Sequence, residues 1–168
     1  MKQIMAVQYS RKRNKRTDYR KRLKLISSGK ERLVVRRTSS HVIVQIIKFD
    51  EKGDKVIIST QSGQLKKYGW QLGSKNIPAA YLTGLLAGKL ATAKGVKTAV
   101  LDTGTSKPVS KGRVYAAMKG AIDAGLEVPA ADTIFPSEDR ISGKHLSSDK
   151  AASMFTDTKA KISGGKNE

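Results

Sequence analysis

The stretch Leu33-Val34-Val35-Arg36-Arg37-Thr38-Ser39-Ser40-His41-Val42-Ile43-Val44-Gln45-Ile46-Ile47 decides how this chain folds. Two aliphatic, largely β-branched runs flank a short polar segment, the pattern of strand, turn, strand. Side chains alternate between the faces of a strand, so Val42, Val44 and Ile46 point one way and Ile43, Ile47 and Phe49 the other. Both sets are apolar, which predicts that this strand lies inside a sheet and is covered on both sides.

Downstream, Asp50-Glu51-Lys52-Gly53-Asp54 reads as a turn and Val56-Ile57-Ile58 as a third strand, completing a three-strand antiparallel meander. Residues 61–76 read as irregular and polar, and they hold the only tryptophan, Trp70. A helix begins near Asn76 with Pro78 in its first turn, where a missing N–H costs little. Leu82, Leu85, Leu86, Leu90 and Ala93 repeat at helical spacing, while Gly84, Ala87, Gly88 and Ala91 are small enough for a close approach to a sheet. Gly95 ends that helix. Thr98 to Leu101 reads as a fourth strand, the loop Asp102 to Gly112 follows, and a second helix runs from about Arg113 to Ala124, stopped by Gly125. Val128 begins a short final strand in this reading, and Lys150 to Phe155 a weak helix in a polar tail. Strands followed by helix, strand and helix predict an α/β fold in which helices cover a mixed sheet.

Upstream of the strands lies the strongest functional signal. The first 37 residues carry 14 Lys and Arg against Asp18 and Glu31 alone, most of a net charge of +19. Charges packed this densely cannot enter a core without partners and repel one another when free, so the arm is expected to be extended. Phosphates relieve that repulsion and release counterions, which makes nucleic acid the favoured partner over a solvated tail, a targeting signal or an anionic membrane surface. The cationic excess fades along the chain, and residues 128–168 are neutral. One end should therefore face the polyanion.

The absence of cysteine removes disulfides, thiol nucleophiles and cysteine-ligated metals. No apolar stretch is long enough for a membrane span, and Ile4-Met5-Ala6-Val7 is too brief for a signal peptide. Asp102, with Asp50, Asp123 and Asp132 elsewhere, would be the core of a two-metal nuclease if these carboxylates converged. The competing reading is turn and cap aspartates. A histone-like architectural protein is a third class that total charge does not exclude.

Candidate nucleic-acid contacts fall in four groups. The arm offers Arg11, Arg13, Lys15, Arg16, Arg20, Lys21 and Arg22, with Tyr19 among them; guanidinium groups fork onto phosphate oxygens. Arg36, Arg37, Ser39, Ser40 and His41 lie at the hairpin turn and can meet a sugar–phosphate backbone, the alternative for His41 being a satisfied polar turn. Lys66, Lys67, Tyr68 and Trp70 interleave cations and rings, and rings in such loops stack on unpaired bases; Tyr68 is the better stacking candidate, and a core plug is the favoured reading of Trp70 beside its place among the contacts. Lys111 and Arg113 open the second helix, whose N-terminus can receive a phosphate, although the loop lacks a nucleotide-binding pattern.

The strings Thr17-Asp18-Tyr19-Arg20-Lys21-Arg22-Leu23, Lys67-Tyr68-Gly69-Trp70 and Asn76-Ile77-Pro78-Ala79-Ala80-Tyr81-Leu82-Thr83-Gly84-Leu85-Leu86-Ala87 carry a resemblance. With Leu101-Asp102-Thr103-Gly104, Gly112-Arg113-Val114 and Gly125-Leu126, the chain from Thr17 to Leu146 resembles the universal 5S rRNA-binding family of the large ribosomal subunit, in its archaeal form. The resemblance implies a three-layer α/β/α domain with a mixed sheet, no enzymatic activity and no cofactor. It also implies 5S rRNA, large-subunit rRNA and a neighbouring 5S-binding ribosomal protein as partners, in a cytoplasmic ribosome. The expected organisation is a basic arm over 1–31, a globular domain over 32–146 and a polar tail over 147–168.

Overall fold

The computed structural model describes residues 7–146 and 150–164. Residues 1–6 of the arm, and 147–149 and 165–168 of the C-terminal stretch, lie outside the described residues. The meander forms as the hydrophobic pattern requires: β1 (Glu31–Arg37), β2 (Val42–Lys48) and β3 (Lys55–Gln61) pair antiparallel, and β4 (Ala99–Asp102) joins β1 in parallel. The order β3-β2-β1-β4 puts β2 inside the sheet, and the sheet is mixed.

Register sorts the side chains into two unlike faces. Leu33 and Val35 sit opposite Ile46 and Val44, and these form the core with Val42 and Ile58. On the reverse face Arg32, Val34 and Arg36 stand opposite Ile47, Gln45 and Ile43, with Val100 and Asp102 beside them from β4. Coverage differs from expectation here. Val42, Val44 and Ile46 are fully buried, but Ile43 and Ile47 are only half-covered and Phe49 is exposed. The reverse face of this sheet carries charge, so a second apolar layer cannot close over it.

The core face is covered by α3 (Ile77–Ala93) and α4 (Arg113–Asp123). The Asn76 side chain caps α3 by accepting from the Ala79 N–H at 2.9 Å. From Pro78 to Gly88 every residue of α3 is buried, so this helix has no solvent face in its first three turns. Its closeness to α4 depends on absent side chains. A Cβ on Gly84 would stand 1.9 Å from the Ala117 carbonyl oxygen, and one on Gly120 would stand 2.1 Å from that of Tyr81.

Three segments depart from expectation. Residues Ser62–Tyr68 are a 3-10 helix, pinned by buried Leu65 and by reciprocal capping between Gln61 and Gln64. Near Val128 there is a single bridge, Thr98 to Glu127, in place of a strand. The weak helix read over Lys150 to Phe155 is present but longer, as α6 (Ala151–Gly164), and it follows the short α5 (Glu138–Ser142). Ala151, Phe155, Thr158 and Ile162 are its buried stripe, and the Phe155 ring lies 5.6 Å from that of Tyr81. Burial, then the hydrogen bond its hydroxyl donates to Asp123 at 2.8 Å, push Tyr81 above its ordinary pKa.

The basic arm is folded rather than extended. It forms α1 (Ser10–Arg13) and α2 (Tyr19–Ile26), and the Asp18 carboxylate caps α2 by accepting from the Arg20 and Lys21 N–H groups. Lying over the charged face, the arm makes the third layer.

Gly84→Ala should destabilise the protein by about 3 kcal/mol, the upper end of overpacking costs, because helix backbones must separate. Gly73→Ala, whose added Cβ would have its nearest neighbour 3.9 Å away, should change stability by less than about 0.5 kcal/mol. Urea denaturation of the two variants checks the contrast.

Candidate nucleic-acid interface

Arg32 is an arginine inside a strand, 4% exposed, and such a charge persists only with partners. It has two. Its guanidinium lies 2.6 Å from an Asp54 oxygen and 3.2 Å from an Asp102 oxygen. Asp54, in the β2–β3 turn, also pairs with Arg22 of α2 at 3.0 Å. Asp102, at the end of β4, accepts from the Gly104 N–H at 2.7 Å and faces Arg36 at 3.5 Å. Arg36 in turn donates to the Asp102 carbonyl at 2.8 Å. The Lys21 ammonium donates to the Thr103 hydroxyl at 2.8 Å and to the Gly104 carbonyl. These bonds fasten the arm to the sheet.

Between arm and sheet runs a groove of about 550 Å³. Of the sequence-predicted residues it brings together Arg11, Lys15, Arg16, Lys21, Arg22, Arg36 and Arg37. Asp54 and Asp102 are already engaged, and no carboxylate among the described residues pairs with Arg11, Lys15, Arg16 or Arg37. The groove therefore presents uncompensated positive charge on a fixed frame.

Other candidates lie elsewhere. Arg13 and Arg20 are exposed outside the groove, and half-buried Tyr19 packs its ring 5.5 Å from that of Tyr9. Ser39 and Ser40 are exposed at the hairpin turn; His41 is half-buried, close against Gly63, with its Nδ1 buried and unpartnered. The turn thus sits beside the 3-10 helix, which exposes Lys66 and Lys67 and half-buries Tyr68. Of the two readings of Trp70 the core one holds, and its place among the RNA contacts is corrected: it is 1% exposed and its indole N–H donates to the Gly73 carbonyl, so no ring face is open to a base. Lys111 is exposed, whereas Arg113 donates to the Lys75 carbonyl at 3.0 Å.

The carboxylates weighed as a nuclease centre do not converge. Asp102 serves Arg32 and Arg36, Asp123 takes the Tyr81 hydroxyl and pairs with Lys119, and Asp50 pairs with Lys55, which holds its carboxyl below the usual range. Among the described residues no group of three or more His, Asp or Glu is placed to hold a metal ion, and no helix is long and apolar enough to cross a membrane. Sequence reasoning missed Arg32 and Asp54. The available signal was an arginine set among Leu33, Val34 and Val35, which required a carboxylate from elsewhere in the chain.

Cations held in excess over carboxylates on a rigid sheet define a polyanion-binding protein. The chain belongs to the family of ribosomal large subunit proteins 60S L5 and 50S L18, whose family model matches residues 3–97. It is similar to the large ribosomal subunit protein uL18 of Korarchaeum cryptofilum, 51% identical over 142 residues, or 84% of this chain and 73% of the relative. The uL18 protein of Thermofilum pendens is 51% identical over 140 residues, covering 83% of this chain and 71% of its own. That of Methanothermobacter thermautotrophicus is 49% identical over 138 residues, 82% and 72% of the two chains.

Asp102→Ala leaves Arg32 with Asp54 alone and removes the carboxylate that also holds Arg36 and the Gly104 N–H, and should cost about 1.5–3 kcal/mol in urea denaturation, as loss of a buried hydrogen bond to a charged group does. Arg22→Ala breaks only the half-exposed bridge to Asp54 and should cost less than about 1 kcal/mol. If the two variants lose equal stability, the network does not hold the frame as described.

Proposed function

We propose that this protein is a non-catalytic, structural constituent of the large ribosomal subunit that binds 5S rRNA and anchors it to the large-subunit rRNA in the central protuberance. A neighbouring 5S-binding ribosomal protein is its partner there, in the cytoplasm. The observation that carries this reading is the cationic groove in a chain of the L5 and L18 family. The name that its relatives share, large ribosomal subunit protein, supports the same conclusion.

Its mechanism is charge neutralisation and shape fitting. An RNA helix hides its base edges in a deep, narrow groove, so a cationic arm follows phosphates and 2′-hydroxyls rather than sequence. Five of the cationic groups lining the groove, Arg11, Lys15, Arg16, Lys21 and Arg22, come from the arm and three, Arg32, Arg36 and Arg37, from the sheet. Phosphates entering between them would meet Arg11, Arg16, Arg36 and Arg37 at once. Because Lys21 and Arg22 already tie the arm down, less ordering is left to be done on binding.

Affinity for a 5S rRNA transcript should fall on the order of 10³-fold between about 50 and 200 mM salt if six to ten phosphates are neutralised. Deleting residues 1–16 should flatten that slope and leave the fold intact, since α1 buries no residue. Duplex DNA of equal length should bind more weakly than 5S rRNA at each salt concentration. Equal binding to both would favour a general architectural protein, and an unchanged salt slope would remove the arm from the contact.

A further inference from the structure

A second cleft, of about 230 Å³, opens between the 3-10 helix and α6, and none of its lining residues is shared with the arm groove. Tyr68 forms one wall; Lys150, Met154, Asp157, Thr158 and Lys161 of the C-terminal segment form the other. Two details set it apart from an ordinary packing defect. Thr158 is 1% exposed, yet its hydroxyl has no hydrogen-bond partner among the described residues. Helical threonine ordinarily turns its hydroxyl back to a carbonyl of the preceding turn, and a buried hydroxyl left unpaired is costly. The second detail is Lys161. Its ammonium lies over Gly69, where a Cβ would stand 3.2 Å from Nζ. Gly69 has φ +94°, and the missing side chain leaves that lysine its place at the mouth.

We propose that this cleft receives one unpaired ribonucleotide of the bound RNA. The base lies against the Tyr68 ring and the Met154 thioether, the Thr158 hydroxyl bonds its edge or its ribose, and Lys161 with Lys150 takes the phosphate. The chemistry of the lining selects this ligand. An aromatic wall suits a base face, a buried hydroxyl suits a polar edge, and two ammonium groups against the single carboxylate of Asp157 leave charge for one phosphate. A paired duplex offers no free base and cannot fill the cleft. The inference rests on the rRNA-binding reading and gives α6 a part in it beyond packing on α3.

The test uses the full chain with two probes, an unstructured single-stranded oligoribonucleotide and a perfectly paired RNA duplex of the same length. Tyr68→Leu should weaken single-strand binding about 5- to 100-fold, the range found for removal of a stacking ring, and change duplex binding less than about twofold. Thr158→Val should weaken single-strand binding about 2- to 10-fold while leaving the melting temperature unchanged or higher, because it removes an unpaired buried hydroxyl. A residue with only a structural role would lose binding only together with melting temperature. Ultraviolet cross-linking of the single strand should map to Tyr68. Should Tyr68→Leu fail to fold, Thr158→Val and Lys161→Gln decide the matter. If the chain binds the duplex and these variants leave single-strand binding intact, the cleft is overturned while the rRNA reading stands. Binding to neither RNA overturns both.

Discussion

A guanidinium held between two carboxylates organises the functional half of this molecule. Arg32 reaches Asp54 from the β2–β3 turn and Asp102 from the end of β4, so one side chain ties the central strand to both flanks of the sheet. Its desolvation is offset by the charges of these two carboxylates, which are held in place by Arg22 at Asp54 and by Arg36 and the Gly104 N–H at Asp102, although Arg32 Nε has no hydrogen-bond partner among the described residues. The network leaves the reverse face of the sheet polar, draws the arm onto it, and absorbs the nearby negative charge. What is left over in the groove is positive. The cationic surface thus arises from where the acids are spent as much as from how many lysines and arginines the chain contains.

On the other face the constraint is steric. Gly84 and Gly120 let the backbones of α3 and α4 meet where any side chain would collide. Because α4 comes so near, α3 is surrounded, and its far side is free to receive α6 through Tyr81 and Phe155. Helices pressed together in this way give the sheet a stiff backing. Selection of RNA by shape, as proposed for the groove, would require such stiffness, since a pliable frame would lose in ordering what it gains in contact.

Several elements were legible along the chain because their causes are local. Asn76 and Pro78 start a helix by satisfying or omitting its first N–H groups, and the alternation through Val42 to Ile47 makes a strand whose two faces can be read off. Other elements were not legible. The helix Tyr19–Ile26 is masked by its charge and depends on Asp18 together with distant anchors at Asp54 and Thr103. For α6 only the first part, Lys150 to Phe155, was readable as a weak helix, because beyond Phe155 its buried stripe holds a single large apolar residue, Ile162. Trp70 sits in a loop rich in cations and glycine, where a ring can serve a core or a ligand equally well, and only its burial separates the two.

By itself the sequence determined the class of partner, the strand meander, the two long helices and the family resemblance, since charge density, periodicity and end-capping act over a few residues. Tertiary structure alone decided which cations stay uncompensated and which ring faces the solvent. It also decided that the arm folds and that the C-terminal segment joins the core. Each of those outcomes depends on pairs far apart in the chain, such as Arg32 with Asp102 at a separation of 70 residues, and a local pattern has no means of registering a partner that arrives only on folding.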